Sequence, residues 1–319
     1  VNTQKGVSIK NLFASCLGWV LVFLLLYLSN GKIPEFDRRL ATFLSAALLT
    51  GLSIWVVYAF SCLKLSRQTY LLIGAISIAA VFLAAKPMVQ RSQLINLSGD
   101  LPGQGLLITG QAAMVPVKLD KLALPLRNAF FSEISDFVDK AIPEPPFLII
   151  LLCLAQLALA SGIGLWIAEG IEDITHLIPI ALIATIADIW SVSAGATAKI
   201  VVSSSINYFL LRYPMPAYGS IPYLIGLTDF LFFAIFFQAA VRYELGALRN
   251  AFLLGSAFII AVISALYTAT GLPVLPFMAI FFVVGNFSRL QWKKEELKQV
   301  AVFVIVILIL FAFISYKLH

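Results

Sequence analysis

Nine long apolar runs dominate the chain, at about 11–29, 40–62, 69–86, 146–168, 174–195, 217–241, 250–270, 273–288 and 299–316. Runs of this length limit the backbone severely. In hydrocarbon no water is present to satisfy N–H and C=O groups, so a spanning segment must pair them within itself, as a helix does. A span needs roughly 20 residues. Composition points the same way. Hydrophobic residues make up 61% of the chain and charged residues only 12%, against roughly 25% charged in soluble domains. Mean hydropathy is +0.97. No soluble core buries this much apolar surface, so lipid is the expected solvent.

The expected fold is an all-α polytopic transmembrane bundle of about nine spans. The run at 273–288 is short and opens at Pro273. Three regions follow: transmembrane helices over 1–86, an extramembrane loop or cap over 87–145, and helices over 146–319 that carry the chemically interesting residues. Within the cap, Leu106–Leu124 is expected to form short strands. Leu126–Ile142, with Phe130, Ile134 and Phe137 at helical spacing, is expected to lie on the membrane as an amphipathic helix. The first apolar run is long enough to span and does not read as a cleavable signal.

The net charge of +6 fits basic flanks and loops facing lipid headgroups. No basic run with interleaved aromatics points to nucleic acid. The difference in loop charge between the two faces is too small to set orientation. Cys16, Cys62 and Cys153 lack metal-ligand spacing and read as packing residues. With His176 and His319 the only histidines, a histidine-rich metal site is excluded, and no cofactor is implied.

Two acids stand out. Asp188 is the only ionisable side chain between His176 and Lys199, and Asp229 the only charge between Arg212 and Arg242. An acid at mid-membrane costs on the order of 2.5–3.5 kcal/mol and normally faces a bundle interior or a watery cavity. If two such carboxyls face each other, repulsion and desolvation keep both from ionising together. One then takes a proton from water while the other donates to a carbonyl oxygen, as in aspartic proteases. Interhelical hydrogen bonds and proton or cation relays use the same residues, so the acids alone leave these readings open.

The flanking residues add a resemblance. Gly226-Leu227-Thr228-Asp229, followed by Phe230-Leu231-Phe232-Phe233, resembles the Gly-x-Gly-Asp signature of the presenilin and signal peptide peptidase family and its aromatic stretch. Ala187-Asp188-Ile189-Trp190-Ser191-Val192 is similar to the family's Tyr-Asp-x-x-x-Val segment. Leu272-Pro273-Val274-Leu275-Pro276 is similar to its Pro-Ala-Leu-Pro element. The elements occur in the family's order, over about 170–290. Thr228, Ala187 and Val274 replace the family's second Gly, its Tyr and its Ala. Four apolar runs precede the first acid's run, where the family has five, and one follows the proline element.

The resemblance implies a presenilin-like core and an intramembrane aspartyl endopeptidase with Asp188 and Asp229 as its catalytic pair. It implies transmembrane protein substrates contacted by Gly226, Leu227, Thr228, Leu272, Pro273, Val274 and Leu275, without a metal. The other readings are a proton- or cation-coupled transporter or channel, and an inactive homologue that binds transmembrane partners. Accessory subunits leave no readable mark. The polar 199–220 connection reads either as a gate or as an ordinary interhelical loop. Ser161, Gly162 and Gly164 read as small-residue helix packing, and Glu169, Glu172 and Asp173 as a solvated turn.

Overall fold

The structure, a computed structural model, describes residues 9–29, 38–99, 145–193, 206–214, 223–268 and 274–287, with the single positions 289, 298 and 305. The described chain is mostly helical. In order it forms α1 (Ile9–Leu28), α2 (Arg38–Ser61), α3 (Arg67–Gly99), α4 (Pro146–Glu169) and α5 (Leu177–Ser193). A helical turn, Ile206–Phe209, leads into strand β1 (Leu210–Tyr213). Strand β2 (Tyr223–Gly226) then runs directly into α6 (Leu227–Arg242), followed by α7 (Ala247–Thr268) and α8 (Leu275–Asn286).

This is a helical bundle with the composition of a membrane protein, but it does not have the nine spans expected. There are eight helices among the described residues, and four of them are long and apolar enough to cross a membrane: Ile9–Leu28, Leu40–Ser61, Arg67–Val89 and Pro146–Glu169. The run at 217–241 divides into a strand and a 16-residue helix, and 273–288 yields a 12-residue helix. Hydropathy sums these runs without seeing where the backbone changes conformation. The run at 299–316 lies outside the described residues, except Ile305. Helix α3 continues through Pro87 to Gly99, past the boundary expected at 86. The cap's expected strands and amphipathic helix fall outside the described residues.

Helix α4 is the centre of the bundle. Its sequence is apolar on every side, the pattern of a helix surrounded by other helices. Of its apolar window 67% is buried, against 11% for α1. Glycines let two neighbours reach its backbone. A Cβ on Gly162 would lie 2.8 Å from Gly74 N and 3.0 Å from Tyr70 O of α3. A Cβ on Gly164 would lie 2.6 Å from Leu231 O and 2.8 Å from Ala234 Cβ of α6. Ser161 turns its hydroxyl onto Leu157 O at 2.7 Å. The small-residue packing read at 161–164 is thus found, with α3 on one side and α6 on the other.

Aromatics fix α6 against the later helices. Phe230 stacks on Phe258 of α7 at 5.0 Å, and Phe236 meets Phe282 of α8 at 5.1 Å. All four rings are buried. Such pairs contribute about 0.5–1.5 kcal/mol each beyond their burial.

The two strands pair antiparallel, with Leu210 opposite Gly226 and Tyr213 opposite Tyr223. Polar side chains seat β1. Gln156 Nε2 of α4 donates to Tyr208 O at 3.3 Å and to Leu210 O at 3.2 Å, and the Cys153 thiol donates to Arg212 O at 3.6 Å. At the strand's end, Ser53 Oγ lies 2.6 Å from the Tyr213 hydroxyl and accepts from Trp19 Nε1 at 2.9 Å. Ser53 gives its own proton to Leu49 O at 2.8 Å, so the Tyr213 hydroxyl is the donor to Ser53. This buried chain joins α1, α2 and β1.

Candidate functional site

Asp229 sits in the first turn of α6, three residues after its N-cap, Gly226. A helix leaves its first N–H groups without intrahelical acceptors. In a capping box an acceptor at the third helical position reaches back to the N-cap N–H, and Asp229 does so to Gly226. The cap residue must be small for this. A Cβ at 226 would stand 3.0 Å from Asp229 Oδ2 and 3.4 Å from its Cγ. Gly226 has φ −64° and ψ 134°, a backbone conformation open to any residue, so the requirement is one of space. Asp229 is 8% exposed.

Asp188 lies within α5 and is half-buried. Its Oδ2 accepts the Leu275 backbone N–H at 3.2 Å. Leu275 is the first residue of α8, and Pro276 follows it. Proline suits this position because its missing N–H would have had no helical acceptor. The first intrahelical bond here runs from Met278 N to Val274 O at 3.1 Å. That leaves the Leu275 N–H to Asp188. Both acids therefore rest on helix N-termini, where the helix dipole favours negative charge. Asp229 uses its own helix and Asp188 a neighbour's. Helix α8 packs against both α5 and α6, the two helices that carry the acids.

The strands add a third component. The carbonyls of Tyr208, Leu210 and Arg212 turn to α4. Alternate residues of an antiparallel ladder face opposite sides. Leu211 and Tyr213 therefore face β2, and their partners Ile225 and Tyr223 face back. Leu224 and Gly226 then direct their backbone groups to the outer edge of β2. Among the described residues no further strand pairs with that edge. The Asp229 carboxyl, bonded to the Gly226 N–H, lies at the end of it.

Of the expected site residues, Gly226 supports Asp229, and Leu275 binds Asp188. Val274 is buried, Leu227 half-buried and Thr228 exposed beside Asp229. Leu272 and Pro273 lie outside the described residues. In the 199–220 connection, 206–214 forms the helical turn and β1, and the rest lies outside the described residues. In the turn after α4, Glu172 is exposed as expected, but Glu169 is docked: its Oε1 accepts from Gln238 Nε2 at 2.7 Å, and Glu169 O accepts from Arg242 Nη1 at 2.9 Å. The backbone of the turn continues this docking, with Ile171 O accepting the Tyr243 hydroxyl at 3.0 Å.

Sequence reasoning missed two features. One is the strand pair: β1 lies in the polar connection read as a gate or loop, and β2 was hidden inside the 217–241 run. The other is Thr185, one turn before Asp188 and on the same helical side. Its hydroxyl is buried and has no hydrogen-bond partner among the described residues, although helical threonines commonly bond the carbonyl one turn back. A hydroxyl three residues from a lone intramembrane acid was the signal available. Among the described residues no group of three or more His, Cys, Asp and Glu gathers that could hold a metal ion.

Comparison with family models, curated proteins and solved structures finds no match to the chain.

Proposed function

We propose that the chain is a multi-pass membrane aspartyl endopeptidase that hydrolyses peptide bonds in or near transmembrane segments of protein substrates. The observation that carries this reading is that Asp188 and Asp229 stand on two separate apolar helices, α5 and α6, that both pack against α8, with an edge of β2 beside Asp229 that no further strand covers among the described residues. The resemblance of the three sequence elements to the presenilin and signal peptide peptidase family supports the same reading.

The chemistry follows from the pair. One carboxyl is ionised and removes a proton from water as it attacks the scissile carbonyl carbon. The other is protonated and donates to the carbonyl oxygen, giving a tetrahedral diol. In the collapse of the diol the first carboxyl passes its proton to the leaving nitrogen, the second takes one from a diol hydroxyl, and the C–N bond breaks. The donors at Gly226 and Leu275 hold each carboxyl in place through these exchanges.

A helical segment shields its own peptide bonds, so the substrate must first be extended. The outer edge of β2 offers a template for that. Strand addition satisfies the unwound substrate's backbone groups, while side-chain pockets set preference. An extended segment on Leu224–Gly226 has its next residues beside Asp229. Thr228, exposed at this point, contributes a hydroxyl where the family has glycine.

The test is cleavage of labelled single-span peptides by purified protein in bilayers, read by mass spectrometry. Products that require both Asp188 and Asp229 support the protease. Products that persist in Asp188→Ala or Asp229→Ala reject the pair as its source. Absence of cleavage together with proton flux into proteoliposomes, lost in Asp188→Asn, would instead establish a relay.

A further inference from the structure

Away from the two acids, one end of the bundle carries a second polar assembly. Asn250 of α7 and Asn286 of α8 are both fully buried and bond each other through their amides. Asn286 Nδ2 donates to Asn250 Oδ1 at 2.6 Å, and Asn250 Nδ2 donates back to Asn286 Oδ1 at 3.3 Å. Asn250 Nδ2 also reaches Leu245 O at 3.2 Å and Gly246 O at 3.0 Å, and Asn286 Nδ2 reaches Phe282 O at 2.8 Å. Buried amides satisfied this fully form a rigid platform.

Two guanidinium groups rest on that platform. Arg249 donates through Nη2 to Asn286 Oδ1, and Arg289 donates through Nη1 to Leu245 O at 3.2 Å. Each acceptor is shared with Asn250 Nδ2, so the two cations converge about one amide. The turn keeps them close: a Cβ on Gly246 would lie 3.8 Å from Arg289 Nη1 and 3.9 Å from Arg249 Cβ. Gly246 has φ +91°, a conformation that favours glycine. Among the described residues both guanidiniums bond neutral acceptors only. Glu244, on the same turn, pairs with neither. Both arginines are exposed, and each guanidinium has five N–H donors, of which the amide platform takes one.

The surroundings identify the anion that matches them. Leu248 and Phe252 of α7, Val284 of α8 and Phe287 just after it stand within five residues of the arginines along the chain and are 61–72% exposed. The exposed apolar side chains continue along both helices from the charged end. A cationic fork at the head of such a surface matches an anionic headgroup with acyl chains below it. A soluble anion would use the arginines alone.

We infer that Arg249 and Arg289, set on the Asn250–Asn286 pair, bind the phosphate of an anionic phospholipid whose chains lie along α7 and α8. Guanidinium suits this because its planar fork bonds phosphate bidentately. The site is independent of the acids.

Native mass spectrometry of the full chain in non-ionic micelles tests it, with phosphatidylglycerol and phosphatidylcholine as competing probes. The wild type is expected to retain one phosphatidylglycerol in clear preference to phosphatidylcholine. The preference falls about fivefold for each guanidinium neutralised, in Arg249→Gln and in Arg289→Gln. Arg242→Gln removes the same charge from a neighbouring turn and leaves the preference unchanged. The charge-conserving Arg249→Lys/Arg289→Lys variant loses part of the affinity with the fork geometry, and decides the matter if the glutamine variants do not fold. The inference is overturned by absence of preference in the wild type, by an equal loss in Arg242→Gln, by full affinity in the double lysine variant, or by displacement of the lipid by equimolar inorganic phosphate.

Discussion

Asp188 and Asp229 are the same side chain, yet the bundle holds them differently. Asp229 is bound by its own helix: the Gly226 N–H returns to it from one turn before, and α6 is fixed by buried aromatic rings and by the backbone of α4. Asp188 is half-buried in α5 and grips another element, the first N–H of α8. One acid is therefore set by local geometry, and the other by how two helices dock. The first arrangement is as rigid as a helix end. The second changes whenever α8 moves against α5, so on the proposed function Asp188 is the group through which substrate entry near Val274 and Leu275 reaches the chemistry.

The largest expected effect treats the two acids alike. Asp188→Asn and Asp229→Asn each lower cleavage about 10²–10⁴-fold, the range of general acid–base contributions. The pH profile then tests whether they work as a pair. Cleavage needs one carboxyl ionised and one protonated, so the rate rises with pH through the lower apparent pKa and falls through the upper one, both belonging to the pair. A rate constant across the acid and neutral range would break the pairing.

Stability separates the acids. Asp188→Ala leaves the Leu275 N–H without its acceptor, a loss of about 1–3 kcal/mol, and lowers the midpoint of thermal unfolding in detergent. Asp229→Ala removes one hydrogen bond but also relieves a buried carboxyl, so its midpoint stays level or rises, as at sites that trade stability for activity. Equal losses in both variants would mean that the acids are interhelical bonds of similar kind.

Gly226→Ala sharpens the contrast at one atom. The backbone there accepts alanine, so folding changes by less than about 1 kcal/mol. The new Cβ, however, meets the Asp229 carboxyl at 3.0 Å and moves it from its donor. We expect kcat to fall about tenfold with little change in KM, since a small misplacement of a reacting group costs rate before binding. An unchanged kcat would show that the Gly226 support is dispensable.

The same contrast explains what could be read from the sequence. Asp229 and Gly226 are three residues apart and were legible as a motif, but not as a helix N-terminus, because 217–241 reads as one run. The packing of Gly162 and Gly164 was legible too, because small residues in an apolar helix have few uses. The bond from Asp188 to Leu275 spans 87 residues, and only the order of the acids and the proline element hinted at it. The strand pair was not legible. Leu210–Tyr213 lies in the polar 199–220 connection and Tyr223–Gly226 inside the 217–241 run, and only the carbonyl contacts from Gln156 and Cys153 seat β1 as a strand. The division of 217–241 and the short α8 overturned the nine-span expectation on the same ground.

Thr185 carries the smallest expected effect and tests the less rigid acid. Its buried hydroxyl lies one turn from Asp188, and Asp188 Oδ2 is already occupied by the Leu275 N–H. On the proposed function Thr185 is a positioning residue, its free hydroxyl available to Asp188 when substrate draws the Leu275 N–H away. Thr185→Val keeps the shape and removes the hydroxyl. Burial of an unpartnered hydroxyl is unfavourable by about 1–3 kcal/mol, so the valine variant is as stable as wild type or more so. Its kcat falls about three- to tenfold, the equivalent of one hydrogen bond of about 1 kcal/mol, and the pH profile of the pair shifts. Thr185→Ser restores both, because serine returns the hydroxyl at the cost of a methyl group. If valine and serine lower the rate equally, the loss comes from packing in α5, and Asp188 is held by Leu275 alone.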